Sequence, residues 1–177
     1  MKTIHTLIVA FMGLFPLFAS AQDRTPADSV KVIRTVDEMD NKVQYMPNIR
    51  LVCMDSMNLE RAFAIQATMT ESKIDGFAVV SYGFSDCNEN DEVIFLFENG
   101  TKFTQISWNK FNCDNNSFFD VTNLQSEALA TYPLKKIRFK NARSYETVTA
   151  TIPDGDKYYF VNIYKQLISK QFINRTK

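Results

Sequence analysis

Short runs of hydrophobic residues alternate with polar turn residues through most of the chain, and this pattern predicts strands joined by turns. The clearest run covers residues 93–97, five consecutive apolar residues bounded by charge. It is too short for a helix core and therefore predicts a strand. Asn99 and Gly100 follow closely, and both tolerate the positive φ angles of a two-residue type I′ turn. With a return strand over residues 102–108, the sequence predicts a β-hairpin at residues 92–108.

The turn length determines which residues of the two strands face each other. A two-residue turn places Glu98 opposite Thr101, and the same register continued outward brings Cys87 and Cys113 within one residue of being opposite. We therefore infer a Cys87–Cys113 disulfide, which needs Cα atoms within roughly 6 Å. The bond closes a loop of about 26 residues and stabilises the fold by about 3 to 4 kcal/mol in the chain-entropy estimate. Because the first strand is apolar on both faces, we expect it inside a sheet that is covered on both sides.

Further strands are predicted where short β-rich runs lie between turn residues. They cover residues 30–36, 42–46, 49–54, 59–69, 77–82, 135–140 and 145–152, with a short apolar return at Phe118 and Phe119. Residues 59–69 also suit a helix, because they contain leucine, glutamate, glutamine and several alanines. We favour a strand there, because a turn leads directly into the next β-rich run.

Two segments are predicted to be helices. Thr122 is a good N-cap for a short helix over residues 123–131. The longest helix begins at the turn after Pro153 and runs to about Lys170. The side chains predicted to be buried are Leu124, Ala128 and Leu129 in the first helix and Phe160, Ile163, Tyr164, Leu167 and Ile168 in the second.

Successive strands joined by turns, with few helices, indicate an α+β fold. We expect a mainly antiparallel sheet of about six or more strands, one short helix, and a C-terminal amphipathic helix packed on the sheet. Residues 22–29 are polar and predict a flexible lead-in. Residues 30–177 are predicted to form a single α+β domain, since their number suits one hydrophobic core.

The first 21 residues have the pattern of a signal peptide. Lys2 supplies positive charge, residues 7–18 form a short apolar region, and Ala19-Ser20-Ala21 is a small-x-small cleavage site. The apolar region is too short to span a bilayer. No later stretch is long and apolar enough to be a transmembrane segment after signal cleavage. We therefore expect an exported protein that is periplasmic or secreted.

Composition narrows the chemistry open to the exported chain. Three cysteines fit an oxidising compartment with one disulfide, and we expect Cys53 to be a small buried thiol. Without Lys2 the chain has 19 basic and 20 acidic residues, a formal charge of −1, so we expect no nucleic-acid partner. His5 is the only histidine, and its removal excludes Ser-His-Asp and Cys-His catalysis and histidine metal sites. We predict no cofactor and no catalytic residues.

Three blocks of sequence resemble a known family. They are CNENDE with IFLFENGTKF (residues 87–92 and 94–103), WNKFNCD (residues 108–114) and PLKKIRFKNARSY (residues 133–145), followed by a similar terminal helix at residues 157–167. This pattern is similar to that of small, uncharacterised exported proteins of the Bacteroidota. The resemblance implies a Gram-negative envelope and transfers no catalytic residues.

A cluster of basic residues is the main candidate for a binding surface. Lys136, Arg138 and Lys140 alternate along one strand face, and Lys135 and Arg143 are adjacent. Such charges are typical of a solvated strand face. The functional alternative is a surface for an anionic glycan, lipid head group or protein.

Two other patterns are weaker candidates. Asp86, Asn88 and Asn90 have the one-three-five spacing of a calcium loop, but glycine and glutamate are missing at the later positions, so we favour a structural polar loop. Aromatic residues also surround the second cysteine. We expect them to pack about the disulfide, whereas an exposed aromatic patch would indicate a protein or sugar contact; they are Trp108, Phe111, Phe118 and Phe119.

These patterns favour an exported, non-catalytic binding module of the bacterial envelope whose partner is an unknown protein or envelope component. The alternative is a carboxylate-dependent hydrolase acting on extracellular glycan or peptide. A cleft with two converging carboxylates would favour the hydrolase. A flat basic or aromatic patch would favour the binding module.

Overall fold

The computed structural model describes residues 29–55 and 60–176, which form two β-sheets and two α-helices. The predicted signal peptide and most of the lead-in lie outside the described residues. The strands are β1 (Val32–Val36), β2 (Val43–Pro47), β3 (Leu51–Met54), β4 (Ala62–Met69), β5 (Ile74–Tyr82), β6 (Glu92–Phe97), β7 (Lys102–Ile106), β8 (Asn116–Asp120), β9 (Leu134–Lys140), β10 (Thr147–Thr151) and β11 (Phe172–Thr176). The helices are α1 (Asn123–Thr131) and α2 (Tyr159–Ser169). The predicted α+β class, with mostly antiparallel strands, is confirmed.

The larger sheet has seven strands in the order β11-β1-β2-β4-β5-β8, with β3 also paired to β4. Its strands pair antiparallel except β1 with β11. One edge of β4 is divided, because β3 pairs with its first half and β2 pairs with it at Met69. Residues 66–68 therefore lie in the gap between β3 and β2, and a groove opens there on the outer face.

The smaller sheet is antiparallel, in the order β10-β9-β6-β7. Strand β6 is internal to it, as predicted. Val93, Phe95 and Phe97 are buried on its inner face, whereas Ile94 and Leu96 on the outer face are partly exposed. The expectation that β6 is covered on both sides is therefore wrong, since the outer face is screened only by long side chains of the sheet itself.

The hairpin has a three-residue loop instead of the predicted two-residue turn. The amide of Phe97 donates to the carbonyl of Thr101 and the amide of Gly100 donates to the carbonyl of Phe97, each over 3.0 Å. Gly100 has a φ of +86°, which fits the left-handed residue that ends such loops. Thr101 therefore faces Phe97 instead of Glu98, and the whole ladder is shifted by one residue.

The shifted register has a reason in the core. It places Phe103 opposite Phe95, and their rings stack at 4.9 Å. The predicted register would have turned Lys102 and Thr104 toward the interior instead. Burial of a phenylalanine, worth about 2 kcal/mol, outweighs the preference of Asn-Gly for the shorter turn.

The core lies between the two sheets, with α2 contributing to it. Phe77 of β5 meets Phe95 of β6 edge to face at 5.2 Å, and Phe160 of α2 meets Phe95 at 5.9 Å. Further along, Phe63 and Phe139 join the sheets at 5.7 Å. Both sheets therefore share one hydrophobic core.

Helix α1 begins and ends where the sequence predicts. The Thr122 hydroxyl accepts from the amide of Gln125, and the Gln125 side chain accepts in return from the Thr122 amide, which forms a capping box. Ala128 and Leu129 are buried as predicted. Leu124 is 79% exposed, so its predicted burial is wrong, because the helix meets the rest of the protein through a narrow stripe.

Helix α2 begins later than predicted, because residues 154–158 form turns before it. Its buried side is rotated from the predicted stripe: Ile168 is 62% exposed, whereas Gln166, which is not part of that stripe, contacts β1. The Gln166 side chain accepts from the amide of Val32 at 3.0 Å and donates to the carbonyl of Val30 at 2.7 Å. The Gln166 side-chain amide therefore makes the two hydrogen bonds, at Val30 and Val32, that a neighbouring strand would make to this backbone. These bonds fix the position of α2.

Two features of the chain's path depend on distant partners. The ambiguous residues 59–69 contain β4, which has strand neighbours on both edges, so the favoured strand is confirmed. Strand β11 was not predicted. It is short and mostly exposed, and it forms by pairing in parallel with β1.

Candidate functional site

Strand β9 carries the basic residues because its side chains alternate between core and solvent. Ile137 and Phe139 are fully buried on the inner face. Lys136, Arg138 and Lys140 lie on the outer face, where Lys136 and Arg138 are exposed and Lys140 is half-buried. The predicted alternation of these three cations is therefore confirmed.

The sheet register extends this cluster beyond β9. Leu96 of β6 faces Lys136 on one side and Lys102 of β7 on the other, so Lys102 lies in the same row. Lys135 is exposed at the irregularity where β6 and β9 change register, at the margin of the cluster. We call the outer surface of the smaller sheet the basic face, and its cations are Lys102, Lys136, Arg138 and Lys140.

The cations of the basic face are available to a partner. No ion pair between described residues involves any of them. Arg138 donates from Nε to the Thr149 hydroxyl at 3.1 Å, and the Lys140 ammonium lies 5.5 Å from the centre of the Tyr145 ring. Glu92, beside Lys140 in the sheet, brings a carboxylate to one end of the face.

A shallow hollow of about 200 Å³ lies in the middle of the basic face. Its floor is aliphatic and its rim is cationic. The residues that line it are Ile94, Leu96, Lys102, Lys136, Arg138 and Thr149. A ligand there would meet positive charge around a surface that already excludes some water, which strengthens electrostatic attraction.

Arg143 does not belong to the basic face, although the sequence suggested that it did. Its guanidinium lies 3.4 Å from the Asp86 carboxylate and 3.5 Å from that of Glu89, and it covers the Phe111 ring at 4.9 Å. These contacts tie the loop after β9 to the disulfide region. Arg143 is therefore engaged within the protein.

The aromatic residues near Cys113 divide between core and surface. Phe119 is buried, whereas Trp108 and Phe118 are 63% and 38% exposed. Trp108 donates its amide to the carbonyl of Phe118, and the two rings stack at 5.6 Å. The Asn109 side-chain oxygen accepts from the amide of Phe118 at 2.9 Å and takes the place of a strand carbonyl. The expectation that all the aromatics pack about the disulfide is therefore wrong for this exposed pair, and Phe111 is also exposed, at 51%, with the Arg143 guanidinium over its ring.

A groove of about 560 Å³ lies on the outer face of the larger sheet. It opens where β2 and β4 separate. Its lining consists of Val43, Gln44, Tyr45, Met46, Gln66, Ala67, Thr68, Met69, Asp75, Ala78 and Asp120. Ala78 lies directly opposite Phe118 in the sheet, so the exposed aromatic pair adjoins the groove.

The predicted disulfide is present, and Cys87 and Cys113 have Cα atoms 4.3 Å apart. The reason differs from the one that the register suggested. An isolated bridge pairs Asn88 with Asn112, which places the two cysteines opposite each other independently of the hairpin. Cys53 is buried and lies outside the disulfide.

A buried carboxylate organises the residues behind the disulfide. The Asp91 carboxylate accepts hydrogen bonds from the Asn88 side-chain NH₂ at 2.6 Å, the Ser117 hydroxyl, and the backbone amide of Ala142 at 3.0 Å. Ser117 belongs to the larger sheet, whereas Ala142 follows β9 of the smaller one. Asp91 therefore links the two sheets.

The residues of the weak calcium pattern have other partners. Asp86 accepts from the amide of Cys87 at 2.7 Å and contacts Arg143, and Asn88 is buried against Asp91. Asn90 has a left-handed backbone, with a φ of 53°. In residues 29–55 and 60–176, no three acidic, cysteine or histidine side chains are grouped so as to hold a metal ion.

Among the described residues, four titratable groups have clearly shifted pKa values, and one of them is Asp154, whose pKa is lowered by its hydrogen bond from Lys157. Hydrogen bonds from the amide and hydroxyl of Ser85 and from Ser144, with the Arg61 charge nearby, lower the pKa of Glu146 despite its partial burial. Hydrogen bonds to Asp154 and Glu98 raise the pKa of Lys157. Burial raises the pKa of the Tyr159 phenol, which donates to the carbonyl of Ile49 at 2.8 Å. None of these four groups lines the hollow of the basic face.

Comparison with known proteins found no matching family model, curated protein or solved structure. The resemblance to exported Bacteroidota proteins therefore stays a prediction. Within the described part of the chain, no helix is long and apolar enough to cross a membrane.

Sequence reasoning missed two contributions to these surfaces. Lys102 lies on the basic face only in the observed hairpin register. Once that register is known, the cross-strand neighbours of Leu96 identify Lys102 as part of the face. The groove depends on β2 and β3 sharing an edge of β4, and no local pattern of residues signals such an arrangement.

Proposed function

We propose that this protein is an exported, non-catalytic binding module that holds an anionic component of the bacterial envelope on its basic face. The observation that carries this proposal is a set of four outward cations that have no ion-pair partner among the described residues. Some basic residues elsewhere are internally paired, such as Arg61 with Glu146 and Lys157 with Glu98, whereas others, such as Lys31 and Lys110, form no ion pair within the described part of the chain either. The basic face differs from these scattered cations because its cations lie together on one sheet face, around an aliphatic hollow. The basic face therefore keeps its charge for an external ligand.

The chemistry of the face favours carboxylate or phosphate groups. Arg138 offers a planar guanidinium and the lysines offer flexible ammonium groups, which together can contact several anions along a chain or a surface. The disulfide fits export, since such bonds persist in oxidising compartments. An acidic polysaccharide and an anionic lipid surface share this chemistry, and the test separates them.

The test is a charge reversal of the centre of the face. In the variant Lys136→Glu/Arg138→Glu/Lys140→Glu we expect at least about a hundredfold weaker binding, from about 1 kcal/mol for each cation near an anionic surface. Binding is measured to an acidic polysaccharide and, separately, to phosphatidylcholine vesicles with and without anionic lipid. It should also weaken as salt rises.

The matched control reverses three exposed lysines elsewhere, Lys31, Lys110 and Lys165, and so has the same net charge as the test variant. The control should bind almost as well as the wild type. Equal losses in both variants would show that only net charge matters. Absence of wild-type binding to every anionic probe would overturn the proposal.

A hydrolase is the second candidate, because Asp75 and Asp120 both line the groove of the larger sheet. Two carboxylates are the usual catalytic groups of glycoside hydrolysis. This function predicts shortened products from glycans incubated with the wild type and none with Asp75→Asn/Asp120→Asn. Intact glycans after prolonged incubation with the wild type would exclude it for the glycans tested.

A further inference from the structure

We propose that the groove of the larger sheet, together with the ring of Phe118, binds a neutral oligosaccharide. This site is separate from the basic face, since it lies on the other sheet and faces away from the shared core. Three features support this proposal: an exposed aromatic wall beside the groove, a floor of small residues, and polar groups that can bind hydroxyls.

The wall is the pair Trp108 and Phe118. Trp108 covers one face of the Phe118 ring. On the opposite side, the neighbour of Phe118 across the sheet is Ala78, whose methyl group is too small to cover a ring. The groove side of Phe118 is therefore open, and the C–H groups of a pyranose would pack against the negative face of the aromatic ring.

The floor is low because the outer positions of β5 nearest the groove, Gly76 and Ala78, are small. Ala78 lines the groove, and Gly76 lies two residues before it. A Cβ on Gly76 would lie 2.4 Å from the Phe119 carbonyl oxygen and 2.8 Å from the Thr68 hydroxyl. Glycine therefore lets the Phe119 carbonyl and the Thr68 hydroxyl approach closely, so that Gly76 is buried and the small side chain of Ala78, with Thr68, lines the groove.

The polar lining suits hydroxyl groups. Gln66 faces Ala78 across the sheet, and its side-chain oxygen accepts from Arg50 Nε at 3.0 Å. This contact orients the Gln66 amide so that its NH₂ group remains to donate to a ligand. Asp75 and Asp120 offer carboxylate acceptors, and Thr68 offers a hydroxyl.

The charge of the lining selects against acidic ligands. Its charged residues are the two carboxylates Asp75 and Asp120, and the cation of Arg50, which donates to Gln66 at the margin of the groove, offsets only one of them. An anionic sugar would meet repulsion here, whereas a neutral sugar donates hydroxyl protons to both carboxylates. The ligand class is therefore a neutral glycan.

The test uses the fluorescence of Trp108, the only tryptophan in the chain. The disulfide-bonded protein is titrated with neutral pentasaccharides of the chitin, xylan, mannan and maltose series, and with oligogalacturonate as the acidic comparison. We expect at least one neutral series to change the emission at millimolar concentration, and oligogalacturonate to change it less.

Two variants address the wall and the floor separately. Phe118→Ala removes the stacking surface and should weaken binding about tenfold. Ala78→Leu fills the depression without removing a polar group and should also weaken binding. Phe111→Ala is the matched control, because Phe111 is also an exposed aromatic but packs on Arg143 outside the groove. It should bind like the wild type, and circular dichroism confirms that each variant is folded.

The outcomes separate this site from the basic face. Loss of binding in the folded Ala78→Leu protein, with binding retained in Phe111→Ala and in the basic-face triple variant, supports the proposal. Binding that Phe118→Ala and Ala78→Leu leave unchanged overturns it, as does the absence of binding to every neutral series.

Discussion

The outer faces of the two sheets have opposite chemistry, although both cover the same core. The basic face of the smaller sheet has four cations around an aliphatic floor. The groove of the larger sheet has two carboxylates and adjoins an aromatic pair. One face suits anionic partners and the other suits neutral ligands rich in hydroxyl groups.

This difference shows how a two-sheet fold separates stability from recognition. Inner positions of each strand are restricted to side chains that pack, such as Phe77 and Phe95. Outer positions are not, because alternate side chains point away from the core. Each outer face can therefore acquire its own charge without disturbing the other. Variants outside the two faces can show whether the faces are independent.

Removal of the disulfide should have the largest effect on stability and should affect one face only. Cys87→Ser/Cys113→Ser opens a loop of 26 residues, so we expect the free energy of unfolding to fall by about 3 to 4 kcal/mol. Trp108 lies in this loop, so its emission in the folded state should shift. Strands β6 and β7 of the basic face also lie in this loop, but β6 stays paired to β7 and to β9, so binding of anions to the folded variant should not change.

Urea unfolding measures this loss of stability, and reduced wild-type protein is the control. The same experiment checks the disulfide itself. Alkylation without reductant should label at most Cys53, whereas all three cysteines should react after reduction and unfolding. Labelling of all three without reductant would contradict the assignment.

Replacement of Asp91 should destabilise the protein by about 3 kcal/mol and affect both faces, because Asp91 links the two sheets. Asp91→Ala leaves the Asn88, Ser117 and Ala142 donors without their acceptor in a buried site. Asp114→Ala removes an exposed carboxylate nearby and is the control. Denaturant unfolding with equal midpoints for both variants would show that the buried carboxylate contributes nothing.

Replacement of Glu146 should have the smallest effect, about 1 kcal/mol, and this effect should depend on pH. Hydrogen bonds from Ser85 hold the pKa of Glu146 below its usual value. A lowered folded-state pKa contributes stability above the unfolded-state pKa, and that stability disappears as pH falls through the folded-state pKa.

Glu146→Gln should therefore be less stable than the wild type near neutral pH and equal to it in strong acid. Urea unfolding across the acid range compares the two proteins. Glu146 joins Ser85, after β5, to the start of β10, so this variant also tests how loosely the two sheets are coupled. A stability difference that stayed constant with pH would contradict the assigned ionisation.

Much of the fold could be predicted because local patterns were strong. Thr122 and the helix that follows it were located correctly, since a capping residue and the side chains around it define a helix start locally. The alternation in β9 correctly placed three cations on one face. The register of the hairpin was wrong, because Asn-Gly favours a short turn and the pairing of Phe95 with Phe103 outweighed that preference.

The candidate sites were less predictable than the elements that carry them. The sequence grouped Arg143 with the basic strand, but the fold turns it toward Asp86, Glu89 and Phe111. It also treated Trp108 and Phe118 as core residues. A sequence lists which side chains are near in the chain, whereas partners across a sheet depend on pairings between distant segments.

By itself the sequence determined the α+β class and the approximate positions of the hairpin and both helices, because these depend on local periodicity and turn residues. It also identified the two cysteines that pair, although from a hairpin register that the structure replaced. Only the tertiary structure decided that there are two sheets, that β11 pairs with β1, and that Lys102 completes the basic face. It also decided that β2 and β3 divide the edge of β4 and leave a groove. The physical reason is that strand pairing is a long-range choice, made by the core that the paired strands enclose.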